Sequence, residues 1–299
     1  MRRFLLLVLA IVVSASASAL KPVAFTHDRA YWRAVIAQQY QIPANMDAAG
    51  LAMELASLVS ATDPELRDTF GYEILANWIH RSGKLASYDL DALRQSFLPF
   101  ALFQLGESGT DSVFARSFAL LNLKELAAAD LETPFLTQAS FDKLFDLAEK
   151  SLAAEKDLRG YVPEKGWAHA TAHCADLLRV LARNSKLSAR QQSRLVAAVA
   201  TRTRGAEAVF TWGEDARLAA ALVSVANRSD FDAGAFDVWF AELIAEHRQL
   251  WKGAFKTSAY VHVRTQVNTL THLAALAARQ PAFPLKLREA LQATLAKVP

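Results

Sequence analysis

Apolar residues at helical spacing run through almost the whole chain, broken only by short polar links, and strict two-residue alternation is rare. That pattern leaves little for a sheet and prescribes helices that each bury one face against another helix. The composition agrees, with 53% hydrophobic residues, Ala and Leu abundant, and only 11 Gly and 9 Pro in 299 residues. Helices are expected over 28–39, 48–60, 62–79, 89–100, 112–129, 140–152, 169–183, 191–202, 214–226, 235–250, 261–278 and 285–295. Two openings carry capping signals: Thr62 with Glu65 and Pro64 between them, and Ser188 with Gln191. Helix pairs recur every 35–45 residues or so without a clean repeat motif. The expected fold is therefore all-α, an α/α superhelix of stacked antiparallel pairs. No linker divides residues 20–299 into two domains, and the loop 157–166, with two Gly and a Pro, is the best place for a hinge.

The first residues read as an export signal. Arg2 and Arg3 precede an apolar run over 4–13 and small residues over 14–19, with cleavage expected after Ala17 or Ala19. The apolar run is short of the ~20 residues a membrane span needs. The mature chain is thus expected to be periplasmic or secreted, with no stable membrane anchor. The precursor's 33 Lys+Arg and 30 Asp+Glu become 31 and 30 without the two signal arginines, a net +1. No Lys/Arg stripe points to nucleic acid. Cys174 is the only cysteine, so no intrachain disulfide forms and the fold rests on its core.

One segment, 157–176, could carry chemistry. His169, His173 and Asp176 stand at i, i+4 and i+7, within about 60° of one helical face. Two imidazoles and a carboxylate can bind a divalent metal, zinc being the ion for such a set, or form a hydrogen-bonded cluster between helices. His169 and His173 are the expected metal ligands, with Asp176 orienting an imidazole and Glu214 or Asp215 the expected third ligand. The residue after His169 is Ala170, where a zincin carries its Glu, so a general base would come from elsewhere. Asp157, Arg159, Tyr161 and Trp167, just upstream, are expected to line a ligand pocket with the cluster. Glu214 and Asp215 also suit a helix N-terminus for dipole reasons alone, and Asp63, Arg67 and Asp68 suit the joint between helix pairs. Cys174, among leucines, reads as a buried apolar side chain.

Several segments together resemble one bacterial family, that of domain of unknown function 2785. They are Thr62, Asp63, Pro64, Glu65, Leu66, Arg67 and Asp68, with Tyr72 and Trp78; Val113, Phe114, Ala115, Arg116, Ser117 and Phe118; Asp157, Leu158, Arg159, Gly160 and Tyr161; Gly166, Trp167, Ala168 and His169; Ala172, His173, Ala175 and Asp176; and Gly213, Glu214, Asp215, Ala216, Arg217 and Leu218. The resemblance implies a HEAT-like helical repeat and brings no activity with it. Many members look cytoplasmic, so the export signal is a departure.

Two function classes follow. One is a periplasmic binding or scaffold module with a polar His/Asp pocket, its partner a protein or a small molecule. The other is a hydrolase-like enzyme using His169, His173 and Asp176, with or without a metal. A G-x-S-x-G elbow, a Walker loop and a G-x-G-x-x-G turn are all absent from the sequence.

Overall fold

The computed structural model describes residues 26–298. The segment read as an export signal lies outside them. Eleven α-helices account for most of what is described. They are α1 (Arg29–Ala37), α2 (Ala48–Ser57), α3 (Ser87–Ala101), α4 (Ser112–Glu132), α5 (Gln138–Ala154), α6 (Ala170–Leu181), α7 (Ala189–Arg204), α8 (Glu214–Ala226), α9 (Gly234–Leu250), α10 (Thr257–Ala277) and α11 (Leu285–Leu295). The all-α class expected from the periodicity is what the chain adopts.

The helices lie in two ranks. In one, α4 packs on α6, α6 on α8 and α8 on α10; in the other, α5 packs on α7, α7 on α9 and α9 on α11. Burial follows position. In α5 the buried residues are Phe141, Leu144, Phe145, Leu147, Ala148, Ser151 and Leu152, a single stripe at helical spacing. In α4, flanked on both sides, almost every residue from Ser112 to Asp130 is buried. One apolar core runs from Trp32 to Val298.

Local chemistry sets the helix ends. Asp28 caps α1 through the Tyr31 amide, and Ser188 and Gln191 form the expected capping box on α7. The Thr62 capping box does not form. Asp63 takes its place, its Oδ1 accepting from the amides of Glu65 and Leu66. The chain beyond is wound more widely than a 3.6-residue helix: Glu65–Ile74 and Asn77–Arg81 are π-helical.

The segment expected to be a hinge is a pinned hairpin. Tyr161 and Val162 (β1) pair antiparallel with Gly166 and Trp167 (β2). The Arg67 guanidinium, fully buried, donates to the Lys165 carbonyl at 2.6 Å and to the Ala61 carbonyl at 2.9 Å. It pairs with Asp68 at 2.7 Å and stacks 4.2 and 4.6 Å from the ring centres of Phe114 and Phe118. Asp63 pairs with Arg29 instead, so of the two acids beside it Arg67 pairs with Asp68 alone. On the other side, Arg116 and Glu155 form a buried two-point ion pair, and Arg116 also donates to the carbonyls of Phe103, Gln104 and Glu107. This pair fixes where the chain leaves α5 and enters the hairpin.

Candidate functional site

The site forms where the hairpin runs into α6 and the 210–213 loop runs into α8. Both helices open on a left-handed residue, His169 (φ 57°) for α6 and Gly213 (φ 87°) for α8. Glycine reaches that conformation freely; for His169 it is a strained setting of the kind that gathers at functional sites. His169 is thus the residue before the helix and not its first turn, which corrects the expectation of three residues on one helical face. Its amide donates to the Arg159 carbonyl at 3.0 Å, extending the hairpin ladder. Its Nε2 donates to the Trp212 carbonyl at 2.7 Å, tying the two helix starts together.

An aromatic group covers this junction. Trp167 stacks on His169 at 5.0 Å, meets Trp212 edge-on at 5.8 Å and Tyr161 edge-on at 5.7 Å. Tyr161, Trp167 and Trp212 are 51, 42 and 43% exposed. Trp212 lies directly over Gly160, where an added Cβ would stand 2.2 Å from the indole. Glu214 accepts from the Trp212 amide at 2.9 Å and so shapes this loop.

His173 lies beneath the group, 5.6 Å from His169 and edge-on to Phe118 at 5.4 Å. Burial, with His169 and Arg217 adding to it, pushes its pKa down to about 3. The neutral tautomer follows from its partners. Ser117 Oγ–H donates to the Ala168 carbonyl, which can only accept. His173 Nδ1–H must then donate to Ser117 Oγ, 2.7 Å away. Nε2 therefore carries a lone pair and has no hydrogen bond among the described residues. In neutral His169 the lone pair likewise falls on Nδ1.

The carboxylates expected to join the imidazoles are engaged elsewhere. Asp176 pairs with Arg217 of α8, and burial raises its pKa in spite of that cation. Asp215 accepts from the Ala216 amide and lies 3.5 Å from His272. Glu214 is held by Trp212. Among the described residues, no group of three or more His, Cys, Asp and Glu side chains is arranged to hold a metal ion. The zinc set of His169 and His173 with Glu214 or Asp215 is thus not assembled, because each acid is drawn to a nearer amide or imidazole.

Asp157 and Arg159 are engaged in bonds that hold the loop. Asp157 is buried and accepts from the amides of Gly109 and Arg159 and from the Arg159 guanidinium. Arg159 also donates to the Thr110 carbonyl at 2.5 Å. Burial pushes the Asp157 carboxyl up, but these donors outweigh it and hold it below the usual carboxylate range. Cys174 Sγ faces the Ala148 carbonyl at 3.2 Å, and burial pushes the thiol up to about 12, as suits an inert core residue.

Ser117 and the exposed ring of Trp212 belong to the site but announce no role in the sequence. The one local signal is a Gly–Trp or Trp–Gly pair, Gly166–Trp167 and Trp212–Gly213, close before each of the two helices.

The family model described as "Protein of unknown function (DUF2785)" matches residues 102–277, more than half of the chain. The chain belongs to that family. The matched region holds the hairpin, both left-handed helix starts and every residue of the aromatic and imidazole group, while Arg67, which clamps the hairpin, precedes it. No curated protein and no solved structure matches.

Proposed function

We propose that this family member is an exported binding module that receives its ligand on the face built by Tyr161, Trp167, His169, His173 and Trp212. The observation that carries the reading is the pair of half-exposed indoles held edge to face at 5.8 Å above a neutral imidazole with an unpartnered nitrogen. Exposed aromatic rings on a rigid support provide apolar contact at little entropic cost. The imidazole nitrogens provide hydrogen-bond acceptors beside them. The complementary ligand has an apolar face flanked by O–H or N–H donors, as a saccharide ring or a peptide segment does. The Arg2, Arg3 and apolar 4–13 pattern supports the periplasm, or the space outside the cell, as the compartment.

The hydrolase-like alternative is less well supported. His173 keeps a free nitrogen, but Asp176 faces Arg217 and the Ser117 hydroxyl is fully buried and given to Ala168. Neither an orienting carboxylate nor an accessible nucleophile accompanies the imidazole.

The test is a titration of the mature protein with soluble saccharides and short peptides, followed by tryptophan fluorescence. Trp167→Ala and Trp212→Ala should each weaken a saturable response about tenfold or more, as central aromatic contacts do. A response that survives both substitutions would put the ligand elsewhere and end this reading.

A further inference from the structure

We infer that the loop joining α9 to α10 is a reversible docking point for an anionic phospholipid surface. Trp251 and Phe255 are 63 and 57% exposed, and Tyr260, on the first turn of α10, is 40% exposed. Their rings form a continuous line with His247, at 6.2, 6.3 and 5.9 Å from one to the next. Three adjacent large aromatics left in water mark a surface that something covers.

Charge identifies the occupant. No Asp or Glu occurs between His247 and Arg288, a stretch that holds Arg248, Lys252, Lys256, Arg264, Arg279, Lys286 and Arg288. The chain as a whole is only +3, so positive charge is concentrated at this end of the sequence. Lys252 and Lys256 are exposed and directly follow Trp251 and Phe255. Neither they nor Arg248 and Arg264 form an ion pair among the described residues, and Glu242 and Glu246 of α9 are paired with Arg204. Beside the loop opens a crevice of about 540 Å³ whose lining includes Leu250, Ala259 and Val263 together with Lys252, Lys256 and His262.

Aromatic rings alternating with cations at the edge of an apolar crevice suit the headgroup layer of a bilayer. Indole and phenol rings settle at that depth, and lysines reach anionic headgroups while their stems lie along apolar surface. Among the described residues no helix is long and apolar enough to cross a membrane, so the contact at this loop is peripheral. It is independent of the aromatic group at the starts of α6 and α8.

The experiment is co-sedimentation of the mature protein with vesicles of phosphatidylglycerol and phosphatidylcholine, against vesicles of phosphatidylcholine alone. Binding is expected only to the anionic vesicles and should weaken with salt. Lys252→Gln with Lys256→Gln should lower partitioning roughly 25-fold, at about fivefold per cation. Trp251→Ala with Phe255→Ala should lower it about tenfold or more. All four side chains are exposed, so unchanged thermal melting is the check on folding. Failure to bind anionic vesicles overturns the inference. So does an aromatic double variant that binds like the wild type, since that is bare polyanion contact. A dimer in sedimentation velocity that is lost in the aromatic variant, without vesicle binding, assigns the patch to a second copy and overturns it as well.

Discussion

His169 donates from Nε2 to the carbonyl of Trp212 at 2.7 Å, across 43 residues of sequence. This bond couples the start of α6 to the start of α8 and holds the Trp167 and Trp212 rings in one group. The shape of the proposed binding face therefore depends on backbone geometry at two helix starts as much as on the aromatic residues themselves.

Gly160→Ala tests that dependence. The new methyl would need the space of the Trp212 indole, 2.2 Å away. Overpacking of this kind costs about 1–3 kcal/mol. The expected result is a lower melting temperature with altered tryptophan fluorescence. Gly160→Ala combined with Trp212→Ala should be less destabilised than the two single effects summed, because the second change empties the site of the clash. Strict additivity would count against the close approach.

Arg116→Ala should be among the most damaging single substitutions. It would leave Glu155 buried without its cation and orphan the carbonyls of Phe103, Gln104 and Glu107. Breaking a buried ion pair from one side costs about 3–5 kcal/mol. Urea denaturation measures the loss, and a change under about 1 kcal/mol would contradict the role given to this pair.

His173 should make stability depend on pH in the mildly acidic range. Its pKa in the folded protein is about 3 against an ordinary 6.5. Between those values the unfolded chain binds a proton that the folded chain does not, so stability is complete above about 6.5 and falls as the pH is lowered. The contribution amounts to about 3 kcal/mol by about pH 4. Asp68, pushed up to about 6 by burial despite the opposing Arg67, acts with the opposite sign. The informative measurement is therefore the difference between wild type and His173→Gln, whose stability curves should converge on acidification. Parallel curves would refute the buried neutral imidazole.

Asp157 should contribute below that range. Its carboxyl is held under the usual carboxylate value by Arg159 and two backbone amides, so its contribution is present above the unfolded pKa of about 4 and is lost as the pH falls further. Asp157→Asn should lose stability at neutral pH and show a flatter acid limb, measured by thermal melts across the acid range.

Much of this was legible in the sequence. The cap at Ser188 with Gln191 is a local signal, and the structure keeps it. So are the apolar stripes, which locate nearly every helix. Thr62 is a near miss because Asp63, one residue on, takes the Glu65 amide that a Thr62 cap would use, together with that of Leu66. The hairpin was not legible, since strands of two residues are too short to show alternation. His169 reads as helical because the alanine-rich pattern runs straight through it, and nothing local reveals a left-handed backbone. Asp176 illustrates the general difficulty. Its sequence neighbours suggest an imidazole partner, whereas its actual partner, Arg217, lies 41 residues away on the next helix of the rank.

The Arg67 clamp has a consequence for how the protein assembles. Its bond to the Lys165 carbonyl closes a loop of 98 residues, far longer than the hairpin's own ladder. Closing long loops carries the larger entropic cost, and contacts at such separations are made only once nearer ones have shortened the path. Docking of the helices between, α3 to α5, shortens the path that Arg67 has to span to the hairpin. The aromatic face also needs Trp212 from the loop before α8, so a nascent polypeptide lacks it until residues 210–213 have met the hairpin.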